Sequence, residues 1–204
     1  MTDLFSYSEA FSRNLGWVTE AEQATLRAKT VAIAGMGGVG GVHLLTLARL
    51  GIGRFHIADF DSFGLVNFNR QAGAMVSTLG QPKVEALKRM ALDINPEIQI
   101  ETFAQGVDKT NVSRFLNGVD VYVDGLDFFA FSARQLTFHA CAELGVPAVT
   151  AAPLGMGTAV LNFLPGGMSF EDYFQWGGAS DTEEALRFMS GLSPGLLQGY
   201  IGDE

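Results

Sequence analysis

At 204 residues the chain is long enough to bury the core of one domain or slightly more. A net charge of −9 excludes broad nucleic-acid binding, which needs a basic surface, and a single cysteine excludes both an internal disulfide and a Cys-x-x-Cys zinc site. No apolar run reaches the ~20 residues a bilayer requires, and the N-terminus lacks the basic segment and apolar core of a signal peptide, so a cytoplasmic protein without membrane contact is expected.

In chain order, residues 1–29 form a helical appendage ahead of the fold proper. A short helix is expected over 8–15; Arg13 within it is, taken alone, a surface arginine. Thr19 with Glu22 three positions on is the capping-box pattern that starts a second helix. The organising stretch comes next. Val31 to Ala34 reads as a buried strand, Gly35, Gly37, Gly38, Gly40 and Gly41 follow at once, and a helix runs over about 38–51. Strand, glycine turn and helix make a phosphate cradle, because the glycines let backbone N–H groups approach a ligand where a Cβ would collide. The string also fits the dinucleotide fingerprint at Gly35, Gly37 and Gly40, with Asp59 near the expected ~20-residue distance. The glycines alone therefore leave ATP and NAD both open. The helix is apolar nearly all round and is expected to be buried on most sides, with His43 packed inside it.

The second strand, Arg54 to Ala58, ends in Asp59-Phe60-Asp61, where a carboxylate is placed either for ribose hydroxyls or as a loop cap. Asn67, Asn69, Arg70 and Gln71 then cluster, as a clamp on a triphosphate would. A helix over about 82–94 carries the apolar stripe Val84, Leu87, Ala91 and Ile94. Lys83 lies in its first turn, where the helix dipole disfavours a cation unless a phosphate arrives. A strand over 97–103, a helix over 110–117 and a strand over 119–123 lead to Asp124-Gly125-Leu126-Asp127. That loop lies in the crevice where open α/β sheets bind ligands, and a carboxylate there holds Mg²⁺ or caps the loop. The helix over 129–144 buries Cys141 as a core thiol, and His43, His56 and His139 show no metal spacing. A strand over 148–151, a flexible connection over 153–157 and a strand over 158–164 complete an α/β architecture. It is a Rossmann-like, doubly wound, mainly parallel sheet over 30–165, followed by a short irregular C-terminal region over 166–204. In that region the aromatic run Phe170 to Trp176 is expected to pack, a helix is expected over 181–190, and the tail is rich in glycine.

The ordered set Phe11-Ser12-Arg13, the glycine turn, Asp59-x-Asp61, Asn67-x-Asn69-Arg70-Gln71, Gln81-Pro82-Lys83 and Asp124-x-x-Asp127 resembles the ThiF/MoeB/HesA group, adenylyltransferases related to ubiquitin-activating enzymes. The likeness covers about residues 9–165. It implies that Gly35, Gly37, Gly38 and Gly40 cradle ATP, that Asp59 holds the ribose, and that Asp61 belongs to the same nucleotide site. It implies further that Asn67, Arg70 and Lys83 contact the phosphates, that Asp127 serves magnesium, and that Arg13 reaches the triphosphate from a partner subunit. The working unit is then a homodimer, in keeping with a chain that is 48% hydrophobic and 17% charged. The implied reaction is ATP-dependent adenylation of a carboxylate, such as the C-terminal glycine of a ubiquitin-like or sulfur-carrier protein, with release of pyrophosphate.

The chain departs from that pattern in four ways. It lacks the Cys-x-x-Cys pairs that hold zinc in many relatives, so no zinc is expected, and no cysteine is placed to form a thioester. Phe128 stands where relatives often carry Asn, and the last forty residues do not match the usual antiparallel strands. Two other readings stay open: a weakly catalytic scaffold that binds a partner, and an NAD- or FAD-dependent oxidoreductase. The second leaves the 67–71 cluster and Lys83 without a role.

Overall fold

A computed structural model describes residues 5–177 and 180–193. The glycine-rich tail lies outside the described residues, beyond 193. One six-stranded sheet runs in the order β3-β2-β1-β4-β5-β6, with β1 Thr30–Ala34, β2 Arg54–Ala58, β3 Gln99–Phe103, β4 Val121–Asp124, β5 Ala148–Leu154 and β6 Gly157–Phe163. Every pairing is parallel except β5 with β6. The order reverses between β1 and β4, which opens a crevice at their carboxyl ends.

The two faces of the sheet are covered by different parts of the chain. Val31, Ile33, Phe55 and Ile57 pack under α3 (Gly40–Leu50) and α4 (Lys83–Ile94) in a core whose buried members all lie between residues 31 and 98. Ala32, Ala34 and Ala58 face the other way. They meet α5 (Val112–Phe115), α6 (Phe131–Leu144), α7 (Phe170–Phe174) and α8 (Asp181–Leu192) in a core that continues to Leu192. Alternation of side chains along β1 and β2 produces this division.

Three expectations need correction. The 8–15 helix is two pieces, α1 (Tyr7–Ala10) and a 3₁₀ turn over Ser12–Asn14. It docks on the end of α3, where Asn14 and Gln23, the latter from α2 (Glu20–Ala28), donate to the Leu50 carbonyl and Tyr7 donates to that of Gly51. These bonds satisfy acceptors that a helix C-terminus leaves open. The α3 helix is buried on one face only, and Val42 is 45% exposed. The flexible connection at 153–157 is instead the end of a hairpin: β5 runs through Pro153 to Leu154 and pairs with β6 to the turn. Beyond Thr150 β5 has a neighbour on one side only among the described residues, so a residue without an N–H is accommodated. Among the described residues of the C-terminal region, α8 forms over the expected helix, α7 precedes it, and Phe170, Phe174 and Trp176 pack in the core as expected, together with Phe188. The capping box of Thr19 with Glu22, and the extents of β1 and β2, are as the sequence predicts.

Candidate functional site

The loops after β1 and β4 meet backbone to backbone. Gly35 has a positive φ of 85°, and a Cβ there would lie 2.1 Å from the Gly125 carbonyl oxygen. A Cβ at Gly40 would lie 1.8 Å from the Gly35 oxygen. Only glycine allows this approach. It sets the unprotected start of α3, which has no side-chain cap, at the bottom of the crevice.

Above it opens a cleft of about 580 Å³. Gly35, Gly37 and Gly38 form its floor, Asp59, Asp61, Arg70, Gln71 and Lys83 one wall, and Asp124 to Phe128 another. A smaller, mostly apolar recess of 140 Å³ adjoins it behind Asp59, lined by Ala58, Val107, Leu126, Ala130 and Ala133 among others. Asp59 accepts from the Met36 N–H at 2.6 Å and from the Asp61 N–H at 2.7 Å, so it caps the loop. Each of its oxygens keeps a lone pair for another donor. Lys83 is buried at the start of α4, and its ammonium lies 2.9 Å from Asp61. Arg70 projects its guanidinium to the Val66 carbonyl and the Asn69 side chain, with no carboxylate partner among the described residues. Gln71 is buried in the wall, and its side-chain oxygen has no partner among the described residues.

Thus the structure gathers Gly35, Gly37, Gly38, Asp59, Asp61, Arg70, Lys83 and Asp127 around one cleft. Gly40 lies beneath its floor. Two candidates stand apart. Asn67 is buried and its side-chain oxygen accepts from the Gly64 N–H, closing its own turn rather than lining the cleft. Arg13 is exposed on the N-terminal 3₁₀ turn, outside this chain's cleft. Arg134, Thr150 and the α8 residues Phe188 and Leu192 line the cleft without having been anticipated. They come from segments that carry no motif, and only the fold brings them in.

The donors at the cleft fit a magnesium ion, which the resemblance implies. Asp127 is exposed to the cleft; one carboxylate oxygen accepts from the Phe129 N–H at 3.2 Å and the other has no partner among the described residues. Mg²⁺ is commonly held by one or two carboxylates together with substrate phosphates, and a single free carboxylate oxygen beside a phosphate-sized cleft fits that pattern. Among the described residues no group of three His, Cys, Asp or Glu side chains is arranged to hold a metal without a substrate. Cys141 is buried, and burial pushes its thiol up to about 12, which leaves no thiolate nucleophile at neutral pH. No helix among the described residues is long and apolar enough to cross a membrane.

Comparison with known proteins agrees with the fold. A family model described as "ThiF family" matches residues 11–198, past the expected limit of the likeness at 165. The heterocyst HesA protein of Trichormus variabilis is 34% identical, over 98% of this chain and 80% of that protein. The tRNA threonylcarbamoyladenosine dehydratase of Bacillus subtilis is 33% identical over 69% of this chain, which spans only 55% of the dehydratase. Among solved structures, the E. coli tRNA N6-threonylcarbamoyladenosine dehydratase TcdA, seen in complexes with ATP and with AMP, superposes with a TM-score of 0.67 at 26% identity, over 70% of this chain and 58% of that one.

Proposed function

Because the chain belongs to the ThiF family, we propose that it is an ATP-dependent adenylyltransferase. The observation that carries this reading is the convergence of Lys83, Arg70 and Asp127 on the mouth of the glycine turn. A hydride-transfer site needs no such ring of charge, whereas a triphosphate does. A related dehydratase that takes both ATP and AMP supports a site that grips the adenosine and α-phosphate.

In this reading the apolar recess receives the adenine, Asp59 holds ribose hydroxyls, and the start of α3 takes the phosphates. Asp127, together with the phosphates, would hold magnesium, which would supply positive charge there. The substrate carboxylate attacks the α-phosphorus in line, the bond to the β-phosphate oxygen breaks, and pyrophosphate leaves with its electron pair. Nucleophile and electrophile are both anionic, so Arg70 and Lys83 act by offsetting charge and holding the line of attack. No covalent protein nucleophile takes part. The carboxylate is assigned, from the family resemblance, to the C-terminal glycine of a small ubiquitin-like or sulfur-carrier protein.

The unit is proposed to be a homodimer in which Arg13 of one subunit completes the triphosphate site of the other. Leu65, Val66 and Val76 are each more than 70% exposed on the segment around Arg70, an apolar surface suited to burial against a second subunit. The test is thermal unfolding with Mg-ATP, with ATP plus EDTA, and with NAD. A ligand at ~100 times its dissociation constant stabilises a fold by about 2.7 kcal/mol. A shift with Mg-ATP that shrinks without metal is expected, and a shift with NAD alone overturns the assignment.

A further inference from the structure

Arg134 is an arginine in the first turn of α6, where the helix dipole disfavours a cation and the turn itself carries no acidic residue. Its side chain is 3% exposed, although it borders the cleft. Its neighbours explain the placement. Nε donates to Asp124 at 2.7 Å, Nη1 to the Phe128 carbonyl at 3.0 Å, and Nη2 to the Leu126 and Asp127 carbonyls at 2.9 Å each. Three successive carbonyls of one loop therefore converge on a single guanidinium. Asp124 is held from its other sides by Thr150, whose hydroxyl donates at 2.9 Å, and by the Leu126 N–H at 3.1 Å. The Phe188 ring of α8 lies against the guanidinium, 4.7 Å from ring centre to the guanidinium carbon.

We infer that Arg134 is a positioning residue: its guanidinium, locked by Asp124, Thr150 and Phe188, fixes the 124–128 loop so that the Asp127 carboxylate stands in the cleft. With four N–H donors engaged by protein, Arg134 has little left for a nucleotide, so it acts on the site through the loop. Its carbonyl partners include that of Asp127 itself. Loss of the guanidinium therefore removes one of the two bonds on the carbonyl of the residue that bears the candidate metal carboxylate, leaving only the Ala130 N–H at 3.0 Å. A lysine keeps the charge but cannot reach an aspartate and three carbonyls in one plane.

The inference rests on the adenylating reading, and the experiment separates the two. Arg134→Lys is compared with the wild-type chain by amide hydrogen exchange without ligand, and by calorimetric ATP binding across a magnesium series and in EDTA. Exchange should speed up about tenfold over residues 125–129 and stay unchanged in β1 and α3. The magnesium concentration at half-effect should rise about tenfold, as for other groups that orient a metal ligand, while ATP affinity in EDTA is unchanged. Thr150→Val, which removes one bond to Asp124 and keeps shape, should move both readouts the same way by about two- to threefold, and it serves as the test if Arg134→Lys does not fold. Wild-type protein that ignores Mg-ATP overturns the adenylating reading and this inference together. Wild-type protein that binds Mg-ATP, with variants that keep its metal dependence or lose ATP equally in EDTA, overturns the inference alone.

Discussion

The ammonium of Lys83 lies 2.9 Å from the carboxylate of Asp61, buried on the lysine side and half open on the aspartate side. The pair keeps a cation at the cleft wall through an interaction that a phosphate can take over. Asp61 also binds Lys83 through the backbone, its carbonyl accepting the Lys83 N–H at 2.9 Å. Lys83→Ala should therefore keep its fold, losing roughly 1 kcal/mol because the orphaned Asp61 remains hydrated. The same variant, and Arg70→Ala, should lose most of the ~2.7 kcal/mol that saturating Mg-ATP supplies, read as the shift in melting midpoint. Full ligand shifts in both would remove the charge argument for the site.

The role proposed for Arg13 makes mixing decisive. Arg13→Ala and Lys83→Ala chains should each bind Mg-ATP weakly. Unfolded together and refolded, they should regain roughly a quarter of the wild-type sites, because half the random dimers then carry one intact site of two. No recovery, in a preparation that sedimentation shows to be dimeric, places Arg13 outside the triphosphate site.

Gly40→Ala should be among the most damaging single-methyl changes available. The new Cβ would meet the Gly35 carbonyl at 1.8 Å, which is backbone on both sides and cannot turn away. A loss of about 3 kcal/mol or more is expected in urea unfolding, or failure to fold. Gly80→Ala is the contrast. It has open space around it and a positive φ of 74°, so it carries only a conformational penalty of about 1 kcal/mol.

Cys141 should resist alkylation in the native protein at pH 8 and react only on unfolding, since burial holds its thiol near 12. The sign follows from the ordinary thiol value of about 8.5: the unfolded state ionises first, so this group's contribution is intact below that pH and is lost as pH rises towards 12. Cys141→Ala should leave ATP binding unchanged. Stoichiometric labelling of the folded chain would contradict the core assignment.

Asp120 ties the start of β1, accepting from the Lys29 ammonium at 2.7 Å and the Thr30 N–H at 2.8 Å. Burial raises its carboxyl value, but the bonds to Lys29 and Thr30 and the charges of Lys29 and Arg54 outweigh it and leave a net lowering. A carboxyl lowered on folding stabilises at pH values above its unfolded value and loses that contribution as pH falls through its folded value. Asp120→Asn should thus cost about 1 kcal/mol at neutral pH, with the gap to wild type closing below about pH 4. A gap that persists unchanged into acid would assign the effect to packing.

The sequence revealed what local chemistry dictates. The glycine turn, the Asp59 and Asp127 carboxylates and Lys83 at a helix start each announce themselves, because each breaks a local rule for a reason. Pro153 misled because a proline reads as an interruption, while its strand has one edge there without a neighbour among the described residues, and that edge needs no N–H. Val42 misled because composition says that a helix is apolar, not how many neighbours it has. Arg134 was invisible because, apart from Asp124, its hydrogen-bond partners are carbonyls six to eight residues earlier, and carbonyls leave no trace in side-chain identity. Asn67 uses its side-chain oxygen to close its own turn, and only the fold shows that it lies outside the cleft lining.

The unequal faces of the sheet also bear on how the chain is made. Residues up to 98 supply every buried member of one core, so α3 and α4 can cover Val31, Ile33, Phe55 and Ile57 while the rest is still being synthesised, with Ile100 and Val123 added later at its margin. The opposite face waits for residues 103 to 192, several seconds or more at about 5–20 residues per second. What β1 and β2 show to the cell in that interval is Ala32, Ala34, Ala58 and the imidazole of His56, the least adhesive surface those two strands have to offer.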